Sequence, residues 1–114
     1  MGALLGSVVL AKRQIFTVTT PLGYRVSLSR DRWRQIIRFK HPALEGCEKL
    51  VRECLENPAF VRESAKEADV HLYYNNHEEA YLCVVTAPGG GDDRFVVTAY
   101  YTKNIKKGTE LWKK

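Results

Sequence analysis

His41 is the residue of this sequence best suited to chemistry, because an imidazole gains or loses a proton near neutral pH. It stands in a basic segment, Arg38–Pro42, that closes a predicted helix. A histidine at a helix end also caps the last carbonyl groups, so a structural role stays open. His71 and His77 fall in a predicted strand and a predicted turn, where we expect structural or merely exposed side chains.

Thr98 and Tyr100 form a second candidate group, on the most regular predicted strand, 94–102. Residues two apart in a strand share a face, which we expect to be open. A sheet face with tyrosine and basic neighbours can stack and position RNA bases, or it is simply solvated. The opposite face is expected to meet the helices, and it comprises Phe95, Val97, Ala99 and Tyr101.

Basic side chains from separate segments form a third candidate feature. Arg34 and Arg38 are four residues apart and therefore lie on one ridge of the first predicted helix. Lys40, Arg62 and Arg94 come from other positions, and these cations either converge on a phosphate or are scattered over the surface. The chain has 18 Lys and Arg against 13 Asp and Glu, a net charge of +5. That excess permits an anionic partner without requiring one.

Several kinds of site lack their sequence signature. Cys47, Cys54 and Cys83 have no zinc-binding spacing and are expected to be buried thiols of a cytoplasmic protein. The run Gly89–Gly91 lacks the helix and lysine that follow a phosphate-binding loop. The apolar stretch Ala3–Leu10 is too short to cross a membrane and lacks the basic start of a signal peptide. We therefore expect no metal, no cofactor and no membrane partner.

Hydrophobic periodicity divides the chain into a hairpin, a helical part and a meander. Residues 1–13 are expected to be a flexible or strand-forming N-terminus, and residues 14–114 a single domain. Strand-forming residues at 14–19 and 24–28 flank the turn signal Pro21-Leu22-Gly23, which predicts a β-hairpin.

Helices are predicted at 29–40, 43–56 and 59–65. Ser29 suits the N-cap of the first, and Pro42 ends it near Lys40. Asn57-Pro58 is expected to end the second helix and start the third. The period then changes to two and predicts a meander of three strands. The expected fold class is α+β, with the N-terminal hairpin and two to three helices packed on an antiparallel sheet of about four strands.

The same periodicities predict a core drawn from every element. In this register Val97 faces the helices and Thr98 faces away, and a one-residue slip would reverse the two. Leu111 and Trp112 are expected to form a last strand or a docked tail. The predicted core residues are Trp33, Ile37, Val51, Leu55, Phe60, Leu82, Val84, Phe95, Val97 and Ala99.

A known order of short motifs runs through the chain, comprising Trp33–Ile37, His41–Leu44, Asn57–Ser64, Tyr81–Val85 and Phe95–Tyr100. Over residues 24–112 it resembles the phage- and mobile-element-associated nucleases of the barnase–EndoU–colicin–RelE-like (BECR) group. The resemblance implies helices followed by an antiparallel sheet of about four strands. It also implies RNA cleavage without a metal, in many members as a toxin.

The resemblance carries over four catalytic positions. His41 matches the helix-end histidine, Arg62 the basic position after Asn-Pro, and Thr98 and Tyr100 the Thr-Ala-Tyr strand motif. In the implied reaction a 2′-hydroxyl loses its proton, attacks phosphorus in line and expels the 5′-oxygen, while cations hold the extra phosphate charge. The residues expected to bind RNA phosphates are Arg34, Arg38, Lys40 and Arg94.

The predicted function is therefore a metal-independent, toxin-like endoribonuclease, with RNA as partner and a protein inhibitor or antitoxin as a further one. The oligomeric state stays open. The alternative is a non-catalytic RNA- or protein-binding module of phage or mobile-element origin, because no second well-placed histidine or glutamate accompanies His41. A third interpretation, an enzyme acting on a small substrate, lacks any cofactor motif.

Overall fold

The computed structural model describes residues 13–114, so nearly all of the predicted N-terminal segment 1–13 lies outside the described residues. One sheet has the strand order β1-β2-β6-β5-β4-β3-β7. Its strands are β1 Gln14–Thr19, β2 Arg25–Ser29, β3 Phe60–Ser64, β4 His71–His77, β5 Ala80–Pro88, β6 Asp93–Thr102 and β7 Gly108–Lys113. The helical elements are α1 Arg30–Gln35, a π-helical turn Ile36–Lys40, a 3₁₀ turn Pro42–Leu44 and α2 Glu48–Glu56.

The predicted N-terminal hairpin is confirmed. β1 and β2 pair antiparallel with Val18 opposite Val26, and both valines are buried in the core. Gly23 in the turn has a φ of +90°, a region that glycine enters without strain. The turn is closed by the N–H of Thr20, which donates to the carbonyl of Tyr24 at 2.9 Å.

The predicted fold class, helices on an antiparallel sheet of about four strands, is wrong. The sheet has seven strands, and it is mixed because β2 runs parallel to Asp93–Phe95 of β6. The α-helices are short, with 6 residues in α1 and 9 in α2. The physical reason is that the hairpin, β3 and β7 add to the meander and satisfy backbone groups that a four-stranded sheet would leave at its edges.

None of the described helices is long and apolar enough to cross a membrane.

The predicted meander is confirmed, since β4, β5 and β6 follow one another in antiparallel pairs. The expected last strand around Leu111 and Trp112 is present as β7, and its strand partner is β3.

The predicted third helix, residues 59–65, is a strand instead. β3 pairs antiparallel with β4 on one side and with β7 on the other. In so short a run, the adjacent residues Phe60 and Val61 suit a helix and a strand equally well. The structure places Val61 in the main core and Phe60 in a second cluster on the other face of the sheet. Pairing on both sides outweighs the weak local preference.

The first helical segment begins and ends where its capping residues predict. The hydroxyl oxygen of Ser29 accepts a hydrogen bond from the N–H of Arg32 at 3.1 Å. The segment ends at Lys40, before the restricted His41-Pro42 pair, and its last residues form the π-helical turn. The N–H of His41 donates to the carbonyl of Ile36 at 2.7 Å, which fixes the backbone of the histidine at the end of this turn.

The second predicted helix, residues 43–56, is interrupted near its start. Gly46 has a φ of +81°, a left-handed conformation that breaks the helical path after the 3₁₀ turn. α2 therefore begins at Glu48, although it ends at Glu56 as Asn57-Pro58 predicts. The apolar residues Val51, Cys54 and Leu55 of α2 are buried against the sheet.

The helices cover one face of the sheet, and the main core lies between them and that face. Most of the predicted core is buried, namely Trp33, Val51, Leu55, Leu82, Val84 and Ala99. The remaining predicted core residues are half-buried, namely Ile37, Phe60, Phe95 and Val97.

A β-bulge in β6 explains why the predicted register fails in part. Val96 pairs with Thr86 and Thr98 pairs with Val85, so Val97 is an extra residue without a cross-strand partner. As a result Val96 and Ala99 both reach the main core, while Val97 packs with the second cluster away from the helices. The prediction that Val97 meets the helices is therefore wrong.

Candidate functional site

A row of four side chains crosses the sheet face opposite the helices. Phe60, Tyr74, Cys83 and Tyr100 lie directly opposite one another on the neighbouring strands β3, β4, β5 and β6. The rings of Phe60 and Tyr74 stack with centroids 4.9 Å apart. Tyr74 and Cys83 are fully buried, while Phe60 and Tyr100 are half-buried at the two ends of the row. The expectation of an open face around Tyr100 is therefore wrong.

The loop between β6 and β7 is anchored over this row. The N–H of Lys106 donates to the hydroxyl oxygen of Tyr74 at 3.0 Å. Arg62 donates from Nη1 to the carbonyl oxygens of Lys106 and Gly108, each at 3.5 Å. With the loop held in this way, the ammonium group of Lys106 lies over the ring of Tyr100. Its distance from the ring centroid is 5.5 Å, which is within cation–π range.

His41 contacts the same tyrosine from the end of the helical segment. The ring centroids of His41 and Tyr100 are 5.7 Å apart, with the ring planes inclined by 33°. β2 pairs only with Asp93–Phe95 of β6, so within residues 13–114 the rest of β6 has no strand on that side. The helical segment thus brings His41 to the unpaired edge of β6, beside Tyr100.

Partial burial lowers the pKa of His41, and the neighbouring positive charge of Lys40 lowers it further. The imidazole is therefore neutral at neutral pH and has a lone pair that can accept a proton. A base that is neutral next to the positive charge of Lys40 is suited to take a proton from a group that is held next to an anion.

The hydroxyl group of Tyr100 is buried although its ring is half-exposed. It lies beside Cys83, and burial raises the pKa of the phenol well above its usual value, so the group stays protonated. It has no hydrogen-bond partner among the described residues, and the same holds for the hydroxyl of Thr98 and for Nε of Arg62. What Tyr100 presents to a bound molecule in this conformation is its ring.

The structure brings several of the predicted site residues together. His41 contacts Tyr100 directly, Arg62 is connected to Tyr100 through Lys106, and Lys40 adjoins His41 in the chain. Thr98 pairs with Val85 of the second cluster and so shares the face of Tyr100. His41 and Tyr100 thus meet at the β6 end of the aromatic row, whereas Arg62 lies on β3 at the other end and reaches only the backbone of the loop that carries Lys106.

Arg34 and Arg38 lie outside this meeting point. They line a groove between the helices together with the acidic residues Glu45 and Glu48. The guanidinium group of Arg38 lies 5.5 Å from the ring centroid of Phe39, whose side chain is 74% exposed. Arg38 and Phe39 therefore form a basic and aromatic rim, three and two residues before His41.

Arg94 is not available to bind a phosphate at this site. It is buried at the opposite end of β6, where Nε donates to the hydroxyl oxygen of Thr86 at 3.3 Å and Nη2 donates to the Thr86 carbonyl at 3.2 Å. Nη2 also donates to the carbonyl of Asp69. These bonds hold the β3–β4 connection against β5, so the contacts of Arg94 are structural.

Lys106 and Tyr74 belong to the site, and Phe39 lies two residues before His41 in the chain; none of the three was predicted from the sequence. The basic run from Lys103 to Lys107, directly after the best predicted strand, was a usable signal for Lys106. The position of Phe39 between the basic residues Arg38 and Lys40 was a signal for this phenylalanine, which the structure leaves exposed. Nothing local indicated that the hydroxyl of Tyr74 would anchor a loop.

Comparison with known proteins assigns this chain to no family. The chain matches no protein-family model, no curated protein and no solved structure. The likeness to the BECR nucleases therefore rests on short motifs alone, and its implied four-stranded architecture differs from the seven-stranded mixed sheet. The chemistry of the side chains is the remaining basis for a function.

The arrangement is suited to an anionic ligand that has a flat ring. Lys106 supplies positive charge over the half-exposed ring of Tyr100, and Lys40 adds a second charge next to His41 in the chain. Nucleotides combine a phosphate with a base that stacks on aromatic side chains. Across the part of the chain that the structure describes, no group of three His, Cys, Asp or Glu side chains is placed to hold a metal ion.

Proposed function

We propose that this face binds single-stranded RNA and cleaves it by 2′-hydroxyl attack, with His41 as the base. The observation that carries the proposal is that His41, from the end of the helical segment, and Lys106, from the β6–β7 loop, both lie against the ring of Tyr100 on β6. A neutral imidazole, a cation and a stacking surface are the groups that such a reaction uses.

Binding would use the aromatic and basic side chains around Tyr100. A base stacks on the exposed part of the Tyr100 ring or on Phe39, which is the most exposed large apolar side chain of the described part of the chain. Lys106, whose ammonium lies 5.5 Å from the Tyr100 ring centroid, and Lys40, next to His41 in the chain, would pair with the phosphates on either side of that base. Such contacts tolerate different sequences and weaken as salt rises.

In the cleavage step, His41 accepts the proton of a 2′-hydroxyl group. The 2′-oxygen forms a bond to the adjacent phosphorus, the bond from phosphorus to the 5′-oxygen breaks, and the leaving oxygen takes a proton from water. The products are a 2′,3′-cyclic phosphate and a 5′-hydroxyl end. Lys40 and Lys106 stabilise the additional negative charge on the phosphate in the transition state.

The test is cleavage of a labelled RNA oligonucleotide by the wild type and by the His41→Ala variant, in the presence of EDTA. A positioned base contributes about 100- to 10,000-fold to the rate, so we expect His41→Ala to lose activity by that factor. His77→Ala is the matched control, because His77 stacks on Tyr101 rather than on Tyr100. Wild-type activity in folded His41→Ala would exclude His41 as the base.

A non-catalytic RNA-binding module is the second candidate, and the burial of the Tyr100 hydroxyl favours it. That hydroxyl is the group best placed beside His41 to act as an acid, and it does not reach the surface. For this candidate we expect binding to RNA that weakens with salt, together with intact RNA after long incubation. Formation of cyclic phosphate ends by the wild type but not by His41→Ala would exclude it.

A further inference from the structure

A cleft adjoins the Tyr100 site and is not used by the function proposed above. It encloses about 410 Å³ between the β3–β4 connection and the β6–β7 loop. Its charged lining consists of Lys66, Lys106 and Lys107 against the single carboxylate of Glu67. Three ammonium groups facing one carboxylate favour an anion such as a phosphate.

The apolar part of the same lining comes from Ile105, whose side chain is 39% exposed. An exposed isoleucine among lysines offers a surface for the face of a base or a ribose, next to groups that hold a phosphate. The cleft therefore combines positive charge for a phosphate with an apolar surface for part of a nucleotide, next to the aromatic ring of Tyr100.

The two walls of the cleft are fixed to each other by hydrogen bonds. The N–H of Ala65 donates to the carbonyl of Lys107 at 3.1 Å. On the β3–β4 side, the hydroxyl oxygen of Ser64 accepts from the N–H groups of Lys66 and Glu67 at 3.2 and 3.3 Å. The lysines are thus carried by backbone that is already ordered, which lowers the entropic cost of binding.

Lys106 connects the cleft with the Tyr100 site. It lines the cleft, and its ammonium group lies 5.5 Å from the ring centroid of Tyr100. A nucleotide stacked on Tyr100 would therefore have a neighbouring phosphate within reach of the cleft.

We infer that the cleft is a second RNA subsite, in which Lys66 and Lys107 hold the phosphate next to the nucleotide bound at Tyr100. This inference rests on the proposed function of that site. The RNA strand then runs from His41 across Tyr100 and into the cleft. The footprint is longer than the two nucleotides that flank a cleaved bond.

The test measures the affinity of 2′-O-methyl oligouridylates of two, four and eight nucleotides, which bind but cannot be cleaved by 2′-hydroxyl attack. We expect the wild type to bind the longer oligonucleotides more tightly than the dinucleotide. The double variant Lys66→Ala/Lys107→Ala should lose that gain while its affinity for the dinucleotide is unchanged. Its slope of log affinity against log salt should be smaller by about 0.7, the contribution of one single-strand phosphate.

The matched control is Arg30→Ala/Lys49→Ala, which removes the same charge from exposed positions on the two helices. Equal losses in both double variants would overturn the inference, because the effect would then be one of net charge. A wild type that binds all three lengths equally would also overturn it and would leave the proposed function standing. Failure of the wild type to bind any length, even at low salt, would overturn the proposed function and the inference together.

Discussion

Two clusters in this protein combine a histidine, a tyrosine and a cation with nearly the same spacing. In one, the guanidinium of Arg94 lies 5.2 Å from the ring centroid of Tyr24, and the rings of Tyr24 and His71 are 5.4 Å apart. In the other, the ammonium of Lys106 lies 5.5 Å from the ring centroid of Tyr100, and the rings of Tyr100 and His41 are 5.7 Å apart. The first, called the interior cluster after its buried His71 and Arg94, also contains Tyr24, which is 37% exposed. The second, the surface cluster, comprises His41, Tyr100 and Lys106.

The two clusters differ in what surrounds the cation. Arg94 is 5% exposed, and its donors are engaged by oxygens of Thr86 and Asp69. Asp69 is itself held in a left-handed conformation, with its N–H donating to the carboxylate of Glu63 at 3.1 Å. Lys106 is exposed, and no hydrogen bond or ion pair of its ammonium group occurs within residues 13–114. The same residue types therefore serve structure in one place and offer binding in the other.

The comparison teaches that residue type and ring spacing do not separate a structural cluster from a binding one. Burial and the number of engaged donors separate the two kinds of cluster. A cation whose N–H donors are already hydrogen-bonded inside the protein has few donors left for a ligand. The following predictions test that distinction.

The largest expected effect is the loss of the interior cation. Arg94→Ala leaves two buried oxygens of Thr86 without their donor and removes the bond to the Asp69 carbonyl, and we expect the free energy of unfolding to fall by about 3 kcal/mol. Urea denaturation measures this change. The control is Arg25→Ala, since Arg25 is exposed and lies 3.9 Å from Asp93, a contact worth about 0 to 1 kcal/mol. Equal losses in both variants would show that Arg94 is no more structural than a surface arginine.

Replacing the ring at the surface site should affect binding rather than folding. Tyr100→Leu keeps an apolar side chain but removes the stacking surface, and we expect RNA affinity to fall by about 1 to 3 kcal/mol. Tyr100→Phe should bind as the wild type does, because the hydroxyl is buried. Fluorescence anisotropy with a labelled oligonucleotide measures both. A weak-binding Tyr100→Phe would indicate that the hydroxyl reaches the RNA.

Acid should weaken the interior cluster through His71. Burial, and the nearby charge of Arg94, lower the pKa of His71, while Glu63 and Asp69 oppose that shift. The folded protein then binds a proton less readily than the unfolded chain, so stability is full above the ordinary pKa of about 6.5 and falls as pH drops below it. Urea denaturation between about pH 5 and pH 7 measures the slope. The slope should become smaller in His71→Gln, where the lowered pKa of His41 still contributes, and should persist in full in His77→Gln.

The smallest expected effect on folding is the loss of the surface cation. Lys106→Ala keeps the backbone N–H that donates to Tyr74, so we expect the free energy of unfolding to change by less than about 0.5 kcal/mol. RNA binding should weaken, and the slope of log affinity against log salt should decrease by about 0.7. Destabilisation comparable to that of Arg94→Ala would erase the difference between the two clusters.

Features with local causes could be predicted from the sequence. Ser29 caps α1, and the helical segment ends before His41-Pro42, because both effects depend on neighbours within a few residues. The hairpin around Gly23 and the β4–β6 meander follow from turn chemistry and alternation. In the site, His41 and Tyr100 were identified by residue type and by their place at the end of a helix and on a strand.

Features that depend on partners distant in the chain could not be predicted from the sequence. β3 is a strand because β4 and β7 pair with it on both sides, and Val97 leaves the main core because a bulge inserts it between paired residues. The parallel pairing of β2 with β6 joins segments separated by all the helices. No local pattern specifies such contacts, because the hydrogen bonds that stabilise them exist only once the sheet has assembled.

The sequence by itself determined where the helical segment stops, which residues are able to transfer protons, and which strands follow one another in hairpins. Only the tertiary structure decided that Arg94 is used inside the protein and that Lys106 is left at the surface beside His41 and Tyr100. The reason is physical. Whether a charged side chain is structural or available depends on its burial and on the acceptors that surround it, and both are set by residues far away in the chain.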